Sequence, residues 1–502
     1  MSVLRVVATL EAVEVGRAVR ITSLRHTHIA DRPFIVIPLG LAGEACAPLA
    51  ALVGSDRDAP ELLVAPQPKN RTDRFQLTAH FAGLLLPYLE SFTEATEIYE
   101  VGRGAMKEQR VRCVDSPQLI VPSPGAASFL RLLGRSTRFR RTEGTFAVDP
   151  GVHRLGQWLT WFADQSEFTP SSLQLALTQV LSAHWATGQS DVEDAHLHAL
   201  MAWIDPPPGS DGPTAARWAE DPCNVPPAGP ATDPVFDHTL VELYRAVDTA
   251  PDARHRAAAI RQLEAQLLPQ LRPTWDVMWR AIDLLRALSP GGKVAPRWQS
   301  DRDRFTGFFD HLASGGFPQA RREHASGAAR RLARLEDTAA RYEAERALDD
   351  PLVMAEYEMT GEAVVGTVTG GEPDRIVRSA ANRVSLRPMI TLTVPGLGRF
   401  RVGDEIRSPA RPTQEARIMA VRGAGNGPYE IDLELSRGMG RSQRPPAPPG
   451  TVPVLGEEVC YTSMSFFSMP AALPDDEDTP WTHGGPPALH QPTDDDANEA
   501  WE

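Results

Sequence analysis

The period of the apolar residues changes at Glu358, and no other feature restricts the possible folds of this chain so strongly. Before it, helical spacing prevails. Residues 325–348 (ASGAARRLARLEDTAARYEAERAL) set Leu332, Leu335, Ala339 and Tyr342 at heptad-like intervals among strong helix formers, predicting one long helix that stops before Asp350-Pro351. After Glu358 come six short alternating runs at 363–369, 389–394, 400–406, 417–421, 429–435 and 457–461, parted by glycine and proline turns. Six such strands predict a small closed β-barrel of the OB or SH3-like kind over residues 359–465.

The rest of the chain reads as a multidomain α+β protein. Residues 1–140 are expected to form an α/β domain, with valine-rich β-type runs at 3–10 and 12–21 and buried strands at 34–38 (FIVIP), 62–64 and 118–121. Helices are expected at 78–90, with Pro87 bending or interrupting the last turn, and at 126–133. Residues 141–204 form a helical region: 153–162 and 171–185 carry tryptophan and leucine at helical spacing, and Ser190 with Glu193 makes a capping box for a helix reaching Trp203. Residues 205–234 are too rich in proline and glycine for regular packing and read as an exposed linker, followed by a second helical region at 235–350. From Ala471 to the end, nine acidic residues occur with no lysine or arginine, which predicts a disordered acidic tail over 471–502.

That tail accounts for nine of the fourteen net negative charges of the 502-residue chain, so the overall acidity says little about what the folded surface binds. The N-terminal residues lack the basic and apolar regions of a secretory signal, and no stretch has the length of a membrane-spanning helix, so a cytoplasmic protein with no membrane partner is expected. Cys46, Cys113, Cys223 and Cys460 are widely spaced and form no CxxC pair, which points to reduced thiols and against a zinc or disulfide framework.

Lysine occurs only at 69, 107 and 293, and none of the three sits in a Walker A loop, where a lysine must follow glycine and precede serine or threonine. GxSxG and HExxH are missing as well. His26 with His28, and Asp194 with His198 at an i, i+4 helical spacing, each offer two ligands without a third or fourth, so no metal and no cofactor is expected. The strongest charge signal is RLLGRSTRFRR, where Arg131, Arg135, Arg138, Arg140 and Arg141 surround Phe139, with Lys107, Arg110 and Arg112 upstream. Guanidinium groups hold phosphates bidentately and an interleaved ring stacks on a base, which makes these six residues a candidate nucleic-acid-binding site. The bland alternative is a solvated or internally paired face, because nearly all basic residues of the chain are arginine.

A long arginine-bearing helix followed by a barrel containing RFRVGDEIRS and YEIDLELSRGMG resembles the accessory β-barrel that some superfamily 1 helicases carry beside their motor. The likeness covers a quarter of the chain at most and includes no motor motif. It implies a companion of a nucleic-acid enzyme and transfers no catalytic residue. The expected function is therefore binding: an adaptor or accessory subunit, not itself an enzyme, whose partner is another protein such as a helicase or nuclease, with nucleic acid as a further partner. Two alternatives stand beside it. One is a divergent metal-dependent nuclease or other hydrolase using dispersed acids such as Asp73, Glu90 and Asp115, and the other is a purely structural scaffold.

Overall fold

The computed structural model describes residues 3–44, 46–101, 107–320, 323, 325–378, 384–423, 427–439 and 445–464. The acidic stretch 471–502, together with Arg321 and Arg322, lies outside them. The chain divides into two compact units. One comprises Met1–Val7, Ile21–Leu24 and Ala340–Met469; the other holds Ala8–Arg20 and Arg25–Ala339.

The larger unit is built on a five-stranded sheet in the order Glu61–Val64, Pro48–Gly54, Phe34–Gly40, Leu119–Val121, Gln174–Ala176. The first three strands pair antiparallel and the last two join in parallel. FIVIPL is buried on both faces of its strand, which is why it lacks polar alternation. Ile35, Ile37 and Leu39 pack in one core with the Ala253–Arg286 helix, whose Trp275, Met278 and Ile282 are buried. Phe34 and Val36 point the other way, into a core with Phe81 and Leu85 of the Arg71–Glu90 helix and Leu155 and Trp158 of the Pro150–Ser166 helix. The sheet is thus a layer between two helical layers, each closed by its own apolar set.

Several local expectations differ from the fold. The valine-rich N-terminus is a helix, Val3–Val15, in which Ala8 and Ala12, four residues apart, are the buried positions. Ala12 packs with Ala199, Trp203 and Ala216, so tertiary contact on one helical stripe overrides the β-propensity of valine. Only Val19–Arg20 is extended there, pairing with Trp185–Ala186. Pro87 lies inside a helix that runs on to Glu90, and residues 171–185 divide into the strand Gln174–Ala176 and the short helix Leu177–Ser182. The proline-rich 205–234 stretch contains a helix, Gly212–Glu220, N-capped by Asp211 and burying Ala215, Ala216 and Ala219. Small side chains let it seat closely despite the flanking prolines. Ser190 and Glu193 do exchange hydrogen bonds, at 2.7 Å and 3.4 Å, but they close a turn; the following helix, Leu197–Ile204, takes His196 as its cap.

In the smaller unit six antiparallel strands close into a barrel in the order Ala363–Glu372, Met389–Val394, Tyr429–Ser436, Arg411–Arg422, Glu405–Ser408, Glu458–Thr462. Inward positions alternate, as in Ile390, Leu392 and Val394 against Ile431, Leu433 and Leu435. Register shifts at Val368/Gly370, Ile406/Ser408 and Ile418/Ala420 supply the bends that closure of so small a barrel requires. Gly371, with φ of 149°, comes so near the Met389 carbonyl that a Cβ would stand 2.3 Å from its oxygen. The Pro351–Met359 helix leans on this barrel through Val353 and Met354. Its cap, Asp350, is fully buried: besides Leu352 N at 3.0 Å, the carboxylate accepts from Ser23 N at 2.7 Å, Ser23 Oγ at 2.6 Å and Leu24 N at 3.0 Å.

Candidate anion-binding cleft

The arginine cluster spans the last turns of the helix Pro124–Thr137 and the segment after it; the helix begins at the Ser123 cap and crosses the helix Pro150–Ser166 at two glycines. A Cβ on Gly156 would lie 2.4 Å from Arg138 N, and one on Gly134 would lie 2.8 Å from Thr160 N, so only glycine allows this approach. The chain then turns tightly. Arg138 N donates to Gly134 O, Arg140 N to Thr137 O, and Val148 N returns to Arg141 O at 2.9 Å, closing a loop before the Asp149 cap of the next helix. Opposite stands the end of the Val294–Ala313 helix with Gly315, Gly316 and Phe317. Between them opens a cleft of about 1010 Å³.

Arg140, Arg141 and Arg154 line this cleft, with Glu143 as the single carboxylate among the lining residues. Arg140 is only 7% exposed; its Nε donates to Ser136 O at 2.9 Å and its guanidinium stands 5.6 Å from the Phe75 ring. Arg154 donates to Leu312 O at 3.2 Å, and burial draws its pKa below the ordinary arginine value although Glu90 pulls the other way. His153 is drawn down too, by burial and then by the neighbouring Arg154 charge, while Gln157 Nε2 meets its Nε2 at 3.2 Å. Arg154, a poorly solvated cation, favours an anion in the cleft, whereas His153 is held neutral beside it. On the rim Phe317 is 73% exposed, held by its carbonyl against His311 Nε2 at 2.9 Å.

Of the six candidate residues the fold brings Phe139, Arg140 and Arg141 to the cleft. The other three go elsewhere. Arg131 pairs with Glu167 at 2.8 Å, Arg135 is exposed on its helix, and buried Arg138 donates to Gln319 O and Arg135 O. Phe139 is only 7% exposed, so the ring offered to a ligand is that of Phe317. Upstream, Lys107, Arg110 and Arg112 pair with Glu100, Glu108 and Glu97 across and along the Thr96–Val101/Glu108–Cys113 hairpin. Sequence reasoning missed Arg154, His153 and Phe317. Arg154 and His153 carried a weak signal, as a basic pair in the first turn of a helix, whereas Phe317 carried none.

The remaining candidates do not converge. His28 stacks on Trp298 at 4.0 Å, and His26 presents its backbone N–H to His184 Nε2. Asp194 lies outside the helix and accepts from Thr187 Oγ1, while His198 Nε2 meets Thr274 Oγ1. Asp73 and Glu90 stand near opposite ends of one helix, about 25 Å apart at 1.5 Å per residue, and Asp115 accepts from Trp298 Nε1. Among the described residues no group of three or more His, Cys, Asp or Glu side chains could hold a metal ion. Nor is any helix among them long and apolar enough to cross a membrane.

His28 and His198 set an acid limit on the larger unit. Burial above all lowers both to about 4; Arg25 adds to the effect at His28, where Asp115 and Asp31 oppose it, and His196 adds to it at His198. Folded, they are neutral; unfolded, they take up protons below pH 6.5, so their contribution is whole above that pH and is lost as pH falls toward 4. Each amounts to about 3 kcal/mol at 1.36 kcal/mol per pH unit. Asp301, pushed up to about 6 by burial, runs oppositely and offsets roughly one of them. We expect the unfolding free energy to fall by about 3 kcal/mol over this range, and the fall to shrink by a similar amount in His198→Gln. Urea titrations read by tryptophan emission test this, since the eight described tryptophans all lie in the larger unit. Equal losses in the two proteins would refute it.

Compared with family models, curated proteins and solved structures, the chain matches none.

Proposed function

We propose that this protein acts by binding, as an accessory subunit of a nucleic-acid-processing system that takes a single strand into the arginine-lined cleft. The observation that carries the reading is the placement of Arg140, Arg141 and Arg154 around one opening with an exposed Phe317 on its rim. Guanidinium groups attract successive phosphates, and an exposed ring stacks on any base, a combination suited to strands of no fixed sequence. The likeness of the barrel sequence to helicase accessory barrels is the ground for naming a helicase or nuclease as the protein partner.

A labelled oligonucleotide titrated at about 50 mM salt is expected to bind with little sequence preference and to weaken as salt rises. The double variant Arg141→Gln, Phe317→Ala should bind about tenfold more weakly through lost stacking and charge. Its salt slope should be flatter by about 0.7 for the one phosphate contact removed. Absence of binding by the unsubstituted protein at low salt sinks the proposal.

A further inference from the structure

The larger unit holds a second, smaller cavity of about 320 Å³ that the arginine cleft does not involve. It lies where the Leu197–Ile204, Gly212–Glu220 and Ala253–Arg286 helices meet. Its floor is apolar: Met201 and Val277 are 2% and 8% exposed, and Ala215 and Ala219 leave the space that larger side chains would fill. Val225 completes the wall because the Asp221 turn, with Asp221 O accepting from Val225 N at 3.0 Å, folds the chain back over it. Trp218 stands at this cavity 58% exposed, a large ring left in water beside an apolar hollow.

The charges settle what kind of guest is favoured. Arg280 is answered within the lining by Asp205 at 2.6 Å, and it donates to the Asp205 carbonyl as well. His198, with its pKa lowered to about 4 chiefly by burial, is neutral at pH 7. Among the lining residues no net charge remains to repay the desolvation of an ionic ligand; Arg17, which reaches the other Asp205 oxygen at 4.0 Å, is not part of the lining. We propose that this cavity is a binding site for an uncharged, largely apolar small molecule of one or two fused rings, stacked against Trp218 with any polar end toward the Asp205–Arg280 mouth. The volume is at the lower end for ligand sites, which fits a compact ring system. This inference stands apart from nucleic-acid binding: the two sites share no lining residue.

The probe is β-naphthol, neutral at pH 7, with β-naphthoate as its anionic counterpart, each titrated calorimetrically into the full chain. Saturable binding of β-naphthol is expected, at least about tenfold tighter than β-naphthoate, since a carboxylate without a free counter-charge loses its hydration. Ala219→Phe, which fills the cavity, should abolish the heat while circular dichroism stays unchanged. Should that variant misfold, Trp218→Ala removes a mostly exposed ring and should weaken β-naphthol about three- to tenfold, the range for an aromatic pair. No saturable binding, a preference for the carboxylate, or undiminished binding in a folded Ala219→Phe or Trp218→Ala protein would each overturn the proposal.

Discussion

Trp158→Ala is expected to lower the stability of the larger unit by about 3–5 kcal/mol, enough to leave a substantial fraction unfolded at ordinary temperature. Trp158 is 2% exposed and sits among rings on two helices. It meets Trp161 edge-on at 5.5 Å and Phe308 at 4.9 Å, and lies 5.5 Å from Phe305. Removing the indole deletes these contacts and opens a void that the fixed helices cannot close. Thermal melts followed by circular dichroism measure the effect. A loss below about 1 kcal/mol would mean that the aromatic cluster collapses freely around the gap, contrary to close packing.

Gly156→Ala should cost about 3 kcal/mol for the opposite reason, an added methyl with nowhere to go. The new Cβ would meet backbone, at 2.4 Å from Arg138 N and 2.7 Å from Thr137 C, so the helices must part. The displaced backbone carries Arg140 and Arg141, so oligonucleotide affinity should fall with stability. Gly307 is the control: it lies within the Val294–Ala313 helix with nothing within 4 Å of a built Cβ, and alanine there should stabilise by about 0.5–1 kcal/mol. If the two substitutions had equal effects, close approach at Gly156 would not be the reason for glycine there.

How much could be read from the sequence differs between the two units for a physical reason. Barrel strands have one face in the core and one in solvent, so their alternation is visible, and residues 389–394 match the observed strand at both ends. In the buried sheet that contrast vanishes. PLAALVG at 48–54 is a central strand with almost every residue buried, and period alone cannot separate such a run from a helix. The arginine cluster was legible as charge, but the cleft was not. Its second wall comes from residues 312–318, some 170 positions along the chain, and its third guanidinium from Arg154. Nor does spacing reveal that Arg138 is spent on the carbonyls of Arg135 and Gln319, while Arg141 faces the opening.

The hydrogen bonds from Ser23 and Leu24 to Asp350 join residues about 327 positions apart within one unit. At a synthesis rate of 5–20 residues per second the ribosome takes roughly 16–65 s to deliver the acceptor after the donors have emerged. For that interval Ile21–Leu24 exists without the carboxylate that holds it, while Arg25 onward is already available to begin the sheet. One of the earliest segments of the nascent chain is therefore secured only once Asp350 has emerged, and a product released before Asp350 lacks that fastening however well its central sheet has formed.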